Sequence, residues 1–273
     1  MNYKLICIDM DGTLLNDKKE VSDENLNTLK KASGKGVKIA VCTGRLFASA
    51  RYYAELIGVK APVIASNGAY IREKDSDEVI YELSIGVDKC KKLQSILNKY
   101  DFNIYYNKYD AVITQNGFYE GNTYAAMNKN LSDKNKIKLI TTEDIDKVIE
   151  EQGDDILKCI CISNNYEGLA KARDEILEAG YYEVVSSNRD NIEIMIEGVA
   201  KGKAVRVLAD FYNIAREEVI CIGDNENDLS MIEFAGLGVA MGNATDRVKN
   251  IANYITETNN NNGVAKVIEK FIL

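Results

Sequence analysis

Short apolar runs separated by amphipathic segments recur at both ends of the 273-residue chain. Each run has four or five residues, which is typical of strands buried on both faces of a parallel sheet. Residues 22 to about 35 begin with a capping serine, continue with acids and end near glycines, which predicts a crossover helix. Together the two ends predict a doubly wound α/β unit. The runs are 5–8, 37–41, 62–65 and 219–222.

The middle of the chain has a different pattern, in which paired strand-like runs alternate with helical segments. This mixture predicts an α+β domain inserted at residues 84–188, which leaves 1–83 and 189–273 as the core domain. We expect the parallel core to resume near Ile192 and to end with a helix around 264–271. Within the insert, the pattern predicts helices at 87–99 and 167–179, another helix beginning near 142–144, and strands at 103–106, 111–114, 156–163 and 182–186.

The charge distribution argues against nucleic-acid and membrane functions. The net charge is −8 and the acidic and basic residues are interspersed, so we expect no basic face for nucleic acid. No apolar run approaches the roughly 18–20 residues of a membrane span, and residues 1–4 lead into a strand rather than a signal-peptide core. We therefore expect a cytoplasmic protein with no obligatory protein partner.

The chain contains no histidine, which removes serine–histidine and cysteine–histidine nucleophile pairs and every histidine-ligated metal site. The cysteines in apolar runs are expected to behave as small buried hydrophobic residues. A metal site at Cys159 and Cys161 is the alternative, but no histidine or second cysteine pair completes it. Carboxylates, lysines and hydroxyl groups must therefore carry any chemistry.

Acidic pairs follow the first and last of these runs, at the edge where a doubly wound sheet binds ligands. Asp9 and Asp11 have a spacing that points both side chains the same way in an extended chain, although the pair also suits a solvated turn. Asp224 and Asp228 follow the last run, where they also suit a helix start. Two such clusters on neighbouring strands would repel each other, and a bound Mg²⁺ would resolve that repulsion.

Further polar groups suit the binding of an anion. Thr43, Gly44 and Arg45 open a helix whose free amides attract anions, although an ordinary N-cap threonine gives the same pattern. Lys201 lies at another predicted helix start, where a solvated lysine is the alternative. The segment 66–68, Ser-Asn-Gly, follows the third run and completes the candidate list.

The order of these groups resembles that of the haloacid dehalogenase (HAD) superfamily. Asp-x-Asp-Gly-Thr follows the first strand, a threonine the second, a lysine precedes a late helix, and Gly-Asp-x-x-x-Asp follows the next strand. The arrangement is similar to the Cof-type branch (subfamily IIB), whose cap domain is inserted between the second and third motifs. This resemblance covers essentially the whole chain. It implies a Rossmann-like core, an α+β cap and a Mg²⁺-dependent phosphatase for a small phosphorylated metabolite.

The resemblance also implies a role for each matching residue. Asp9 would be the nucleophile and a Mg²⁺ ligand, and Asp11 would supply a backbone carbonyl to Mg²⁺ and act as general acid and then base. Asp224 would complete the metal shell, supported by Asp228. The phosphoryl oxygens would be held by Thr43, the amides of Met10 and Gly44, Lys201 and Asn227.

Elementary electrostatics agrees with these roles. A carboxyl with an ordinary pKa of about 3.9 would leave Asp9 ionised and able to attack without a base. Asp11 must instead be protonated, and nearby negative charge would raise its pKa. The three other acids carry about −3 and a phosphate monoester about −2, against about +3 from Mg²⁺ and Lys201. Helix-start amides and Arg45 would have to offset the remainder.

The inserted domain is expected to close over the site and to choose the substrate. Tyr105, Tyr106 and Tyr109 either stack on a substrate ring or pack the domain's own sheet. Arg189, near the domain junction, suits a structural salt bridge or a substrate contact. Arg45, Asn67 and Gly68 are further candidates for contacts with the substrate or the cap.

These expectations favour hydrolysis of a sugar phosphate or of a phosphorylated cofactor such as pyridoxal phosphate or FMN. One alternative is a phosphomutase, which would return the phosphoryl group to a sugar rather than to water. A non-catalytic metabolite sensor is a second alternative, which predicts eroded motifs that the sequence does not have.

Overall fold

The computed structural model describes residues 3–118, 122–129 and 131–273. The described residues form two compact units. The first comprises those of Met1–Arg45, Ala50–Glu82 and Ala200–Leu273, and the second those of Leu46–Ser49 and Leu83–Val199.

Strands and helices alternate through most of the described chain. The strands are β1 (Leu5–Ile8), β2 (Lys38–Cys42), β3 (Pro62–Ala65), β4 (Tyr70–Glu73), β5 (Val79–Glu82), β6 (Asn103–Asn107), β7 (Ala111–Thr114), β8 (Lys138–Thr141), β9 (Lys158–Ile162), β10 (Tyr182–Val185), β11 (Asn191–Ile196), β12 (Val219–Gly223), β13 (Leu237–Ala240) and β14 (Tyr254–Ile255). The helices are α1 (Asp23–Gly34), α2 (Phe47–Ile57), α3 (Val87–Leu97), α4 (Thr123–Asn128), α5 (Ile145–Gln152), α6 (Tyr166–Glu178), α7 (Lys201–Phe211), α8 (Leu229–Phe234), α9 (Asp246–Ile251) and α10 (Gly263–Phe271).

The first unit is built on a sheet with the strand order β14-β13-β12-β1-β2-β3-β4-β5. The strands from β14 to β3 are parallel, and β4 and β5 extend the sheet as an antiparallel edge. All side chains of β1 are fully buried, as expected for a strand covered on both faces. The predicted doubly wound parallel sheet is confirmed, with the antiparallel edge as an addition that the sequence analysis did not foresee.

The predicted crossover helix corresponds to α1. The hydroxyl of its N-cap, Ser22, accepts a hydrogen bond from the amide of Asn25 at 3.2 Å. The side chain of Asn25 in turn accepts one from the amide of Ala265 at 2.9 Å, which links α1 to α10. A buried stripe that includes Leu29 faces the sheet, so the helix is held by both its cap and its apolar side.

The second unit contains a sheet with the order β10-β11-β9-β6-β7-β8, in which only the β7–β8 pair is parallel among the described residues. Helices α3, α5 and α6 pack around an apolar core that includes Cys159, Cys161 and Ile194. Tyr106 belongs to this core and donates a hydrogen bond to Gln94 at 2.6 Å. The α+β character predicted for the insert is confirmed.

One sequence prediction for the end of the insert is wrong. The parallel core does not resume near Ile192, because β11 pairs antiparallel with both β9 and β10 and lies in the second sheet. The apolar residues of β11 do not reveal which sheet the strand joins. Ile192 and Ile194 belong to the helix-covered core of the second unit, while Glu193 points to the opposite face. Glu193 is buried there in an ion pair with Lys158, at 2.6 Å. The first unit resumes at Ala200.

Two further expectations can be compared with the structure. All six cysteines are buried and unpaired, as expected for small hydrophobic residues. None of the helices in the described part of the chain combines the length and the hydropathy that a membrane span requires.

Candidate active site

Four adjacent strands of the first sheet end in the polar residues that the sequence analysis selected. In the order β12-β1-β2-β3, these ends carry Asp224, Asp9, Thr43 and Asn67. Parallel strands place their carboxyl ends at one edge of the sheet. The fold of the first unit therefore brings the predicted groups together.

Lys201, the first residue of α7, lies at the centre of the site and is fully buried. Its ammonium group donates to Asp9 Oδ1 and to Asp228 Oδ1, both at 2.6 Å. Burial alone would lower the pKa of Lys201, but the two carboxylates outweigh burial and raise it well above its usual value. The solvated-lysine alternative is thereby excluded.

Asp9 is nearly as buried as its lysine partner, with 5% of its surface exposed. Burial and the neighbouring Asp228 raise the pKa of Asp9 well above its ordinary value, while Lys201 opposes them. The expectation of an unperturbed pKa at Asp9 is therefore wrong. Ionisation of this carboxyl depends on nearby positive charge.

Asp228 is committed to hydrogen bonds at both carboxylate oxygens. Oδ1 accepts from Lys201, and Oδ2 accepts from the amides of Asp224 at 2.9 Å and Asn225 at 3.1 Å. These bonds hold the loop after β12 in a 3₁₀ turn that precedes α8. Because three of its roughly four acceptor sites are occupied, this carboxylate is better suited to supporting the loop than to binding a ligand directly.

Asp224 faces the loop that follows β1. Its Oδ1 accepts a hydrogen bond from the hydroxyl of Thr13 at 2.7 Å. Gly12 makes this approach feasible, since it adopts φ of +84° and a Cβ there would lie 2.5 Å from Asp224 Oδ2. Burial, followed by the charge of Asp228, raises the pKa of Asp224 to about 7.

The three acids Asp9, Asp224 and Asp228 offer oxygen atoms that all lie within 4.8 Å of one another. An oxygen-only set of carboxylates, without histidine or thiolate, has the chemistry that Mg²⁺ prefers. Burial and repulsion between the acids raise the pKa of Asp9 and of Asp224, and a cation shared by the cluster would relieve that repulsion. The residues present therefore fit a divalent cation.

Asp11 has a different environment from the other acids. The Nε and Nη2 atoms of Arg45 donate to its two carboxylate oxygens, each at 2.7 Å, and Lys19 donates to Oδ1 at 2.9 Å. Burial acts to raise the pKa of Asp11, but these cations outweigh burial and lower it to about 2. The prediction that negative charge raises this pKa is wrong for this arrangement, because Arg45 and Lys19 pair directly with the Asp11 carboxylate.

The remaining candidates of the first unit surround the same strand ends. Thr43 is buried, and its hydroxyl accepts a hydrogen bond from the amide of Arg45 at 3.1 Å. The prediction that residues 43–45 open a helix is wrong, and so is the N-cap alternative, because α2 begins only at Phe47 and this bond closes a turn in the preceding loop. The side chain of Met10 is fully buried. Asn227 donates from its side chain to Asn67 at 3.1 Å. Gly44 lies between Thr43 and Arg45 in the loop after β2.

The residues of the second unit that were candidates for substrate contacts differ in burial and in their neighbours. Tyr105 and Tyr106 are buried, whereas Tyr109 is exposed. Tyr106 therefore packs the domain's own core, as the simpler interpretation predicted. The guanidinium of Arg189 lies 4.5 Å from the ring centre of Tyr166, and both predicted roles of Arg189 remain predictions.

Three contributors were missed by the sequence analysis. Thr13 belongs to the quoted motif but received no role, and Lys19 reaches Asp11 from a left-handed conformation with φ of +61°. Asn243 donates to the carbonyl of Gly12 at 2.8 Å. Asn243 follows β13, so the same reasoning about strand ends would have found it if residues 237–240 had been recognised as a strand.

The acidic cluster should make the stability of the metal-free protein depend on pH. Because the pKa of Asp224 is raised to about 7, the folded state holds more protons than the unfolded state between about pH 4 and pH 7. Stability in EDTA should therefore fall as the pH rises from 5 to 8, by about 2–4 kcal/mol, and Mg²⁺ should restore more of it at the higher pH. Thermal denaturation across this range measures the effect. Asp224→Asn should make the profile shallower, and a flat profile for the unmodified protein would contradict the expected linkage.

Comparisons with known proteins point to one family. A family model described as haloacid dehalogenase-like hydrolase matches residues 6–268. YxeH of Bacillus subtilis is 37% identical over 279 residues, covering 99% of each chain. The 5-amino-6-(5-phospho-D-ribitylamino)uracil phosphatase YcsE of the same organism is 33% identical over 277 residues, covering 100% of this chain and 97% of its own.

A solved structure has the same fold as this chain. A haloacid dehalogenase-like hydrolase from B. subtilis superposes with a TM-score of 0.87 and 30% identity, covering 99% of this chain and 100% of its own. The predicted membership of the Cof-type branch and the prediction of an enzyme are confirmed. Both of these relatives are named as phosphatases. The chain belongs to the haloacid dehalogenase-like hydrolases.

Proposed function

We propose that this protein is a Mg²⁺-dependent phosphatase that hydrolyses small phosphomonoesters through an aspartyl-phosphate on Asp9. The observation that supports this most strongly is the buried pairing of Asp9 with Lys201, beside Asp224, whose carboxylate can share a cation with that of Asp9. A carboxylate nucleophile suits phosphorus and needs no histidine.

The cation would be held by Asp9, Asp224 and the backbone carbonyl of Asp11, with Asp228 supporting the loop. When bound, Mg²⁺ neutralises carboxylate charge and withdraws electron density from the phosphoryl group. Asp228 remains outside the inner shell in this assignment because its oxygens already accept three hydrogen bonds.

The chain's own residues would carry both chemical steps. Asp9 forms a bond to phosphorus while the ester P–O bond breaks, and Asp11 gives a proton to the departing oxygen. Water then attacks phosphorus, Asp11 accepts the water's proton, and the bond between phosphorus and Asp9 breaks. Lys201, Thr43, Asn227 and the amides of Met10 and Gly44 would hold the phosphoryl oxygens throughout.

The ion pairs of Asp11 add a requirement to this mechanism. A carboxyl with a pKa of about 2 holds no proton to donate at neutral pH. The contacts of Asp11 with Arg45 and Lys19 must therefore loosen before the first step. Arg45 and Lys19 would then be available to the substrate's phosphate.

The relatives and the small-metabolite prediction support a set of candidate substrates. YcsE is named for a phosphoribityl compound, and FMN carries the same phosphoribityl chain. We therefore place 5-amino-6-(5-phospho-D-ribitylamino)uracil and FMN beside sugar phosphates and pyridoxal phosphate as candidate substrates.

A panel of these esters with Mg²⁺, assayed for released phosphate, tests the proposal. We expect release from at least one ester and loss of that release in EDTA, because the carboxylates would then lack their cation. Conversion of a hexose phosphate to its isomer without free phosphate would support the phosphomutase alternative. Binding of an ester without any turnover would support the metabolite sensor.

A further inference from the structure

Residues 66–68, at the end of β3, form a turn of unusual backbone geometry. Ser66, Asn67 and Gly68 have φ angles of +49°, +57° and +104°. Consecutive residues in the left-handed region are costly for side chains other than glycine, and such strain concentrates at functional sites. Ser66 and Asn67 are also buried, and the hydroxyl of Ser66 has no hydrogen-bond partner.

The backbone of this turn is bonded to the loop that follows β2. The amide of Ser66 donates to the carbonyl of Arg45 at 2.9 Å, and the amide of Asn67 donates to the carbonyl of Thr43 at 3.0 Å. These two bonds fix the loop that carries Thr43 and Gly44. The turn thus holds one group of proposed phosphate ligands through its amides.

The same turn also packs against the residue before Lys201. A Cβ on Gly68 would lie 2.6 Å from the carbonyl oxygen of Ala200 and 3.0 Å from the Cβ of Ala204. Only glycine permits this approach, which sets the position of the first turn of α7. The turn therefore contacts a second group of proposed phosphate ligands.

The side chain of Asn67 reaches the third group. Its Oδ1 accepts a hydrogen bond from the Nδ2 of Asn227 at 3.1 Å, across a sequence separation of 160 residues. Because Asn67 is only 2% exposed, this bond fixes the rotation of the Asn227 amide in a partly exposed loop. One short turn thus joins three of the four proposed phosphate-binding segments, the fourth being the loop that carries Met10.

We propose that residues 66–68 organise the phosphate-binding groups, and that Asn67 is a positioning residue that orients the Asn227 amide. This inference rests on the proposed function, because the phosphate role of Asn227 belongs to it. Asn67 acts through Asn227 rather than by contacting the substrate itself, which differs from the contact role considered in the sequence analysis.

A double-mutant cycle tests the inference. Asn67→Gly removes the side chain while keeping a residue that tolerates positive φ, and should lower kcat/KM about tenfold because the Asn227 amide loses its fixed orientation. Asn227→Ala should have a similar or larger effect. In the double variant, Asn67→Gly should add little, because residues that act as one unit are not additive. Asn213→Gly is the matched control, since Asn213 is an exposed asparagine with φ of +55°.

Binding of orthophosphate with Mg²⁺, followed by calorimetry, provides a readout that needs no turnover. The affinity should fall about tenfold in Asn67→Gly, and it should be no lower in the double variant than in Asn227→Ala alone. Additive losses would overturn the inference, because a merely structural turn would act independently of Asn227. An unchanged affinity in Asn227→Ala would also overturn it. If the protein binds orthophosphate but hydrolyses no ester, the proposed function fails while this cycle still decides the role of Asn67.

Discussion

Asp9→Asn should abolish turnover while leaving the fold intact. An amide oxygen is a poor nucleophile toward phosphorus, so no covalent intermediate can form and the remaining rate should fall by at least about 1,000-fold. The substitution is nearly isosteric, and Lys201 keeps its second partner, Asp228, at 2.6 Å. Thermal stability should therefore change far less than activity.

Three measurements make this prediction decisive. Phosphate release gives the rate, circular dichroism with thermal denaturation reports the fold, and acid-stable labelling with a ³²P ester followed by hydroxylamine treatment detects the aspartyl-phosphate. Asp210→Asn is the matched control, because Asp210 is an exposed acid on α7. An Asp9→Asn protein with more than a small fraction of the unmodified rate would show that another residue is the nucleophile.

The sequence was informative about this site because its residues follow short buried strands. Asp9, Thr43 and Asp224 each come within a residue or two of a strand end, and a parallel sheet collects such ends at one edge. Pattern and topology together were enough to predict this assembly. No side-chain geometry was required.

The ion pairs of the site could not be predicted from the sequence in the same way. The bonds from Arg45 and Lys19 to Asp11 depend on side-chain directions and on a left-handed residue at position 19. Spacing along the chain contains neither kind of information, so the sequence analysis assigned the wrong direction to the pKa of Asp11. The prediction of the sheet to which β11 belongs was wrong for a related reason, since an apolar strand does not reveal which strands it pairs with.

The position of Lys201 could be predicted from the sequence, but its ion-pair partners could not. Its position before a late helix was visible in the sequence, but only the structure shows that it pairs with both Asp9 and Asp228 while fully buried. Lys201 and the expected cation therefore share the carboxylate of Asp9. Because the lysine and the cation share this carboxylate, a substitution at Lys201 should change cation binding and catalysis in opposite directions.

Lys201→Met should reduce activity by at least about 100-fold and yet strengthen Mg²⁺ binding. The variant keeps the apolar stem but loses the charge that would stabilise the phosphoryl oxygens. The freed carboxylates of Asp9 and Asp228 should attract the cation more strongly, by about tenfold in affinity. Without Mg²⁺ the variant should be less stable by about 3–5 kcal/mol, because buried carboxylates lose their partner.

Calorimetric titration with Mg²⁺, steady-state kinetics at saturating Mg²⁺ and thermal denaturation in EDTA measure these three effects. Lys203→Met is the matched control, since Lys203 lies two residues further along α7 and is exposed. A Lys201→Met protein that binds Mg²⁺ more weakly would contradict the idea that lysine and cation compete for Asp9. Recovery of full activity at high Mg²⁺ would instead show that Lys201 only balances charge, because a group that also holds the phosphoryl oxygens cannot be replaced by a cation at the carboxylates.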